Sequence, residues 1–278
     1  MTVISARGAA VAYDTFGDTA APPLVLVQGF SAQRLGWHPG FCQALADEGF
    51  HVIRYDNRDV GQSQRYPEGG YAIADFADDT VALLNELGLE TVHLVGQSMG
   101  GMIGQIVATA HPSRLRSLGL LYTTASTRHF VSPDDVIAER LEIVPPTTRD
   151  DFIASYVVGE STCASPAYAQ DTAWLAELGG QMWDAGVDFA GIDRQVQALL
   201  AYPDQSEADR AITVPTAIIA GDGDRLIDFH ASEELHTLIP GSTLTVFPGM
   251  GHELPRALWP QLTGLLAANA RLGEAARG

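Results

Sequence analysis

A serine set between two glycines, Gly96-Gln97-Ser98-Met99-Gly100, joins the β-branched run at 91–95 to a helix-like stretch from Met102 onward. Such a serine can sit on a turn too tight for bulky neighbours, with its hydroxyl pushed out of the backbone. The helix that follows aims its first amides and the positive end of its dipole at that hydroxyl. Negative charge is favoured there, as attack on a carbonyl carbon requires. The five-residue pattern alone is common and usually marks an ordinary glycine turn. The strand before it and the helix after it make Ser98 a candidate nucleophile.

A serine nucleophile needs a base, and the base needs an orienting acid. Of eight histidines, His252 alone follows a strand-like alternation (242–247) inside a glycine-bearing loop, Pro248-Gly249-Met250-Gly251-His252, where an imidazole has room to reach across. His38, His51, His93, His111, His129, His230 and His236 fall in strands, helices or the middle region, where packed or solvated roles are expected. For the acid, the strand at 118–122 runs into Thr123-Thr124-Ala125-Ser126 and offers no carboxylate. The strand at 215–220 ends in Gly221-Asp222-Gly223-Asp224. Asp224 lies far enough past Gly221 to turn back over the sheet edge, so it ranks ahead of Asp222, a turn-capping candidate, and Asp228, a helix-cap candidate.

The chain order Ser98, Asp224, His252 is that of α/β-hydrolases. Further matches are Leu24-Val25-Leu26-Val27-Gln28-Gly29-Phe30, the turn Asp56-Asn57-Arg58-Asp59-Val60-Gly61-Gln62-Ser63, and Pro248-Gly249-Met250-Gly251-His252-Glu253-Leu254-Pro255. Together they resemble the small esterases of the aclacinomycin methylesterase type, which cleave a methyl ester on a polyketide, over nearly the whole chain. The resemblance implies an α/β-hydrolase fold, a mostly parallel sheet flanked by helices, and an oxyanion hole built from the amides of Phe30 and Met99. It departs at Gln28, where many members carry histidine. An amide side chain can still brace that loop.

Other chemistry finds little support. Arg58 and Asp59 read as parts of a hydrogen-bonded turn, no cluster has a metal-ligand spacing, and the glycines at 96–104 lack the phosphate-loop lysine and the dinucleotide fingerprint. All sixteen basic residues are arginine, which excludes lysine Schiff bases. A formal charge of −18 disfavours nucleic acid and anionic membranes as partners. Cys42 and Cys163 read as free thiols suited to a reducing, cytoplasmic setting. No apolar run reaches the ~18 residues of a membrane span.

These side chains need a scaffold. A hairpin is expected over 3–16, with strands at 24–28, 51–55, 91–96, 118–122, 216–220 and 243–247. Helices at 41–48, 73–87, 99–110, 231–238 and 258–272 provide the crossovers that parallel strands require. Residues 1–124 and 212–278 then make the core. The interval 125–211 shows helical patterns at 133–143, 149–158, 166–178 and 189–200 and reads as a cap over the catalytic face. Trp183, Met182 and Tyr156 are candidate substrate contacts, with Trp174, Phe189 and Tyr168 behind them. The expected activity is cofactor-free cleavage of a small-molecule carboxylic ester or lactone, including a methyl ester of a bulky apolar substrate, by a monomer or homodimer. Its rivals are a C–C bond hydrolase with the same triad, a non-catalytic ligand-binding protein of this fold, and a cofactor-free peroxidase.

Overall fold

The computed structural model describes residues 2–6, 8–131 and 145–276. One sheet contains β1 (Thr2–Ala6), β2 (Ala9–Phe16), β3 (Pro23–Val27), β4 (His51–Tyr55), β5 (Val92–Gln97), β6 (Leu115–Leu121), β7 (Thr216–Gly221) and β8 (Thr243–Phe247), in the spatial order β1-β2-β4-β3-β5-β6-β7-β8. The β1/β2 hairpin joins β4 antiparallel, and every later pairing is parallel. Strand β6 begins three residues earlier than its apolar run suggests, because Leu115 is buried and Val92 pairs with it across a local bulge.

Parallel strands read as unbroken apolar runs because helices cover both faces. In β3, Val25 and Val27 point into one core layer while Leu24 and Leu26 point into the other, the two-residue period of a strand. The first layer is closed by α2 (Ile73–Glu86), α3 (Met99–Ala110) and α8 (His230–Leu238), the second by α1 (Pro39–Asp47) and α9 (Trp259–Ala275). Phe76, Met102, Ile103 and Leu235 fill one side; Phe41, Leu45, Leu262 and Leu266 fill the other. Each such side chain taken from water stabilises the fold by about 2 kcal/mol.

Residues 122–215, between β6 and β7, carry α4 (Arg149–Glu160), α5 (Thr172–Ala185), α6 (Phe189–Leu200) and the short α7 (Ser206–Asp209), with no strand among the described residues. The expected helix at 133–143 lies outside the described residues. The pattern at 166–178 is displaced: Asp171 caps α5, its carboxylate accepting from the Trp174 amide at 3.0 Å. The stretch before it runs along the loop after β8, with the Ala167 amide donating to Gly249 O at 3.1 Å. The capping aspartate decided where the helix starts, and the proline at 166 did not. Among the described residues no helix is long and apolar enough to cross a membrane.

The chain passes from β3 to β4 on one side and then jumps to β5 on the other. At such a reversal the carboxyl ends of neighbouring strands splay apart and leave a crevice. The loop at 28–34 leaves β3 at that crevice, and Ser98 follows β5 into it.

Candidate active site

Ser98 occupies φ 53°, ψ −124°, a backbone conformation that costs a non-glycine residue about 1–3 kcal/mol. Its surroundings hold it there. The Ser98 amide donates to Leu121 O at 2.9 Å, and Thr123 Oγ1 donates to Ser98 O at 2.7 Å. The two glycines of the pattern are sterically required, since a Cβ on Gly96 would come within 2.1 Å of Gly100 O and one on Gly100 within 2.3 Å of Val27 O. The turn is tight because the start of α3 lies directly against β3 and β5.

The loop after β3 faces the serine. A Cβ on Gly29 would approach the Ser98 Cβ to 3.2 Å, so glycine there keeps the hydroxyl approachable. Neither the Phe30 nor the Met99 amide meets an acceptor among the described residues, consistent with orphan donors at a helix start and a tight loop. Gln28, buried to 1% exposure, braces the loop as an acceptor: its Oε1 takes the Gly29 amide at 2.9 Å and also the Gln97 side-chain amide. Gln97 Oε1 in turn accepts from the Tyr122 hydroxyl at 2.5 Å. Burial, with the Asp224 charge next, pushes the Tyr122 phenol far above its ordinary value, so it stays a donor.

His252 and Asp224 meet across the ends of β8 and β7. His252 Nδ1 lies 2.7 Å from Asp224 Oδ2, both side chains being nearly buried. An ionised carboxylate only accepts, which puts the proton on Nδ1 and leaves Nε2 with a free lone pair. The other carboxylate oxygen of Asp224 accepts from the Leu226 and Ile227 amides at 2.8 and 3.0 Å, which fixes its orientation. Asp222 accepts from the Gly249 amide at 2.5 Å and so joins the two loops, while Asp228 accepts from the His230 amide at the start of α8. Gly221 permits the junction, since a Cβ there would fall 2.0 Å from Met250 O. The Tyr122 ring lies 4.6 Å from the imidazole, centroid to centroid.

Ser98 and His252 line one cavity of about 280 Å³. No direct hydrogen bond joins them among the described residues. An open distance is ordinary for a resting site, where such contacts tighten around substrate. Tyr156 and Met182 line this cavity; Trp183 does not. On α5, Leu178 and Met182 are four residues apart and share the inner face, whereas Trp183 is turned about 100° away and packs on Phe152 at 5.6 Å. Trp174 borders the cavity, while Phe189 and Tyr168 pack elsewhere.

Another histidine beside the cavity is His38. It borders the cavity between Trp174 and Trp259, at 4.1 and 4.7 Å, and its Nδ1 caps α1 by accepting from Gly40. Gln97 and Tyr122 were missed. Gln97 sits inside the serine pattern and Tyr122 ends an apolar strand, and no local signal joins them. Among the described residues no group of three or more His, Cys, Asp or Glu side chains is placed to hold a metal ion.

The comparisons with known proteins agree with this architecture. Residues 22–140 match the family described as alpha/beta hydrolase fold. A RutD protein of Variovorax paradoxus, named for carbamate hydrolysis, is 29% identical over 86% of this chain and 88% of its own. The rhodomycin D methylesterase DauP of a Streptomyces species is 27% identical over 92% and 93%. A hydrolase from Pseudomonas aeruginosa superposes with a TM-score of 0.77 at 26% identity, covering 96% of this chain and 97% of that one. The chain has the α/β-hydrolase fold.

Proposed function

We propose that the protein is a serine hydrolase that cleaves a carboxylic ester or lactone through an acyl-enzyme, without a cofactor. The observation that carries this reading is the Asp224–His252 pair, opening on the same cavity as a strained, glycine-flanked Ser98. Ser98 Oγ attacks the carbonyl carbon as His252 Nε2 takes its proton. The oxyanion is held by the Phe30 and Met99 amides, each worth about 3 kcal/mol in the transition state. Asp224 keeps the imidazole in the productive tautomer and stabilises the imidazolium. The imidazolium then protonates the leaving alcohol, and a water activated by the same nitrogen attacks the acyl-serine and regenerates the hydroxyl.

Residues 125–211 act in this reading as a cap over the site and set substrate preference. Met182, Leu178 and Leu199 supply apolar wall, and Tyr156 a polar edge. Relatives are named for methyl ester and carbamate cleavage, and in both kinds of group an acyl carbon bears a heteroatom leaving group, which fits this machinery. Two free cysteines suit a cytoplasmic setting.

A fluorophosphonate probe tests the nucleophile. The parent is expected to label at Ser98 and the Ser98→Ala variant to remain unlabelled; equal labelling removes Ser98 from the mechanism. A panel of methyl esters, lactones, carbamates and nitrophenyl esters then ranks the substrate classes. Turnover of a dienone acid in preference to all of them would favour C–C hydrolysis instead.

A further inference from the structure

Three consecutive amides face different fates in the loop after β3. The Gly29 amide is taken by the side chain of Gln28 at 2.9 Å, and the Ser31 amide by the side chain of Gln195 at 2.9 Å. The Phe30 amide between them meets no acceptor among the described residues. Gln195 belongs to α6, in the segment between β6 and β7, and is 1% exposed. Its own amide nitrogen donates to Arg58 O at 2.7 Å. Each end of this buried side chain is therefore tied to a different core loop.

Ser31 gives that contact its consequence. At φ 60° it lies in the left-handed region, which costs a residue with a side chain about 1–2 kcal/mol. Without an acceptor for its amide, the peptide between Phe30 and Ser31 is free to relax toward ordinary backbone, and the Phe30 amide turns with it. We infer that Gln195 is a positioning residue for the oxyanion loop, holding the Ser31 amide so that the Phe30 amide points at the reacting carbonyl oxygen. The inference rests on the oxyanion role given above to Phe30. It also separates two tasks on one helix. Arg194, the preceding residue, anchors α6 by a two-pronged pair with Asp59 at 2.9 Å for each bond, and Gln195 sets the loop.

The test measures kcat and KM on p-nitrophenyl butyrate, and the Ki of a trifluoromethyl ketone that forms a tetrahedral adduct, for three variants with melting temperatures recorded. Gln195→Met keeps the length and loses the acceptor. Its kcat should fall tenfold or more, with KM within twofold and the ketone Ki raised by a similar factor, since a displaced oxyanion donor costs the transition state and spares the ground state. Gln195→Glu, which keeps an acceptor of equal reach, should recover part of that loss. Gln195→Asn, too short to reach Ser31, should not. If Gln195→Met does not fold, the order of the Glu and Asn variants at matched melting temperature carries the test. A kcat within twofold of the parent for Gln195→Met, or equal losses in the Glu and Asn variants, overturns the inference. Fluorophosphonate labelling of the parent keeps the two levels apart. A parent that labels at Ser98 beside an unimpaired Gln195→Met refutes the positioning role alone; a parent that does not label removes the esterase reading and this inference with it.

Discussion

Replacing Asp209 with asparagine should change how stability depends on pH. Asp209 ends α7, where the chain returns to the core before β7; it is fully buried, and among the described residues neither carboxylate oxygen has a hydrogen-bond partner. Burial first, and the nearby Asp204 charge second, push its carboxyl from 3.8 up to about 7. A folded state that keeps a proton the unfolded chain gives up loses stability as pH rises from the unfolded value toward the folded one, and levels off above it. At ~1.4 kcal/mol per pH unit the rise corresponds to about 4 kcal/mol between pH 4 and pH 7. Asparagine does not titrate, so the difference between variant and parent isolates this group from every other. Urea unfolding at pH 5, 6, 7 and 8 should show the variant gaining on the parent by about 2–3 kcal/mol from pH 5 to pH 7, with less than about 0.5 kcal/mol more to pH 8. A difference constant across that range would mean that Asp209 is charged and solvated in the fold, and would refute the reasoning.

Gly100→Ala places a Cβ 2.3 Å from Val27 O; the start of α3 must move, and kcat/KM on a nitrophenyl ester should fall at least a hundredfold, more than stability accounts for when read beside the melting temperature. Met182→Ala enlarges the cavity and should shift the preferred acyl length of an ester series, whereas Trp183→Ala should lower the melting temperature and leave that preference alone, because only Met182 lines the cavity.

The parts of the fold legible in the sequence are those whose cause is local. Val25 and Leu26 declare a strand covered on both faces, and the glycines around Ser98 and before Asp224 declare turns, since each answers to neighbours a few positions away. The Asp224–His252 contact could be anticipated because each residue closes its own strand in a glycine loop. The bracing of the loop after β3 could not. Ser31 and Gln195 are 164 positions apart, and a glutamine on an amphipathic helix carries no mark of its partner. The facing of the cavity wall is hidden from the sequence for a different reason. An aromatic stripe tells that α5 is half-buried, but whether Met182 or Trp183 faces the cavity depends on how the helix is rotated, which only packing decides.

Four non-glycine residues hold positive φ among those described, Ser31, Asp59, Ser98 and Tyr122, and each follows the carboxyl end of one of four adjacent strands, β3, β4, β5 and β6. Strain of about 1–3 kcal/mol at each is large beside a net stability of about 5–15 kcal/mol, so each needs specific restraint. Ser98 and Tyr122 are restrained within the core, by Leu121 O and by Ile219 O. The Ser31 amide depends on Gln195 of α6, and Asp59, whose own amide donates to Gln64 O at 3.0 Å, is braced at its carboxylate by Arg194, the preceding residue of that helix. Burial alone would raise the Asp59 carboxyl, yet Arg194, Tyr71 and the Tyr66 amide outweigh it and hold it below its ordinary value, so this tie persists into mild acid. Helix α6 thus holds the Ser31 amide and braces the Asp59 carboxylate from outside the sheet. Moving that helix would disturb the backbone around the cavity before it disturbed the sheet, which makes the segment between β6 and β7 part of the cavity's geometry.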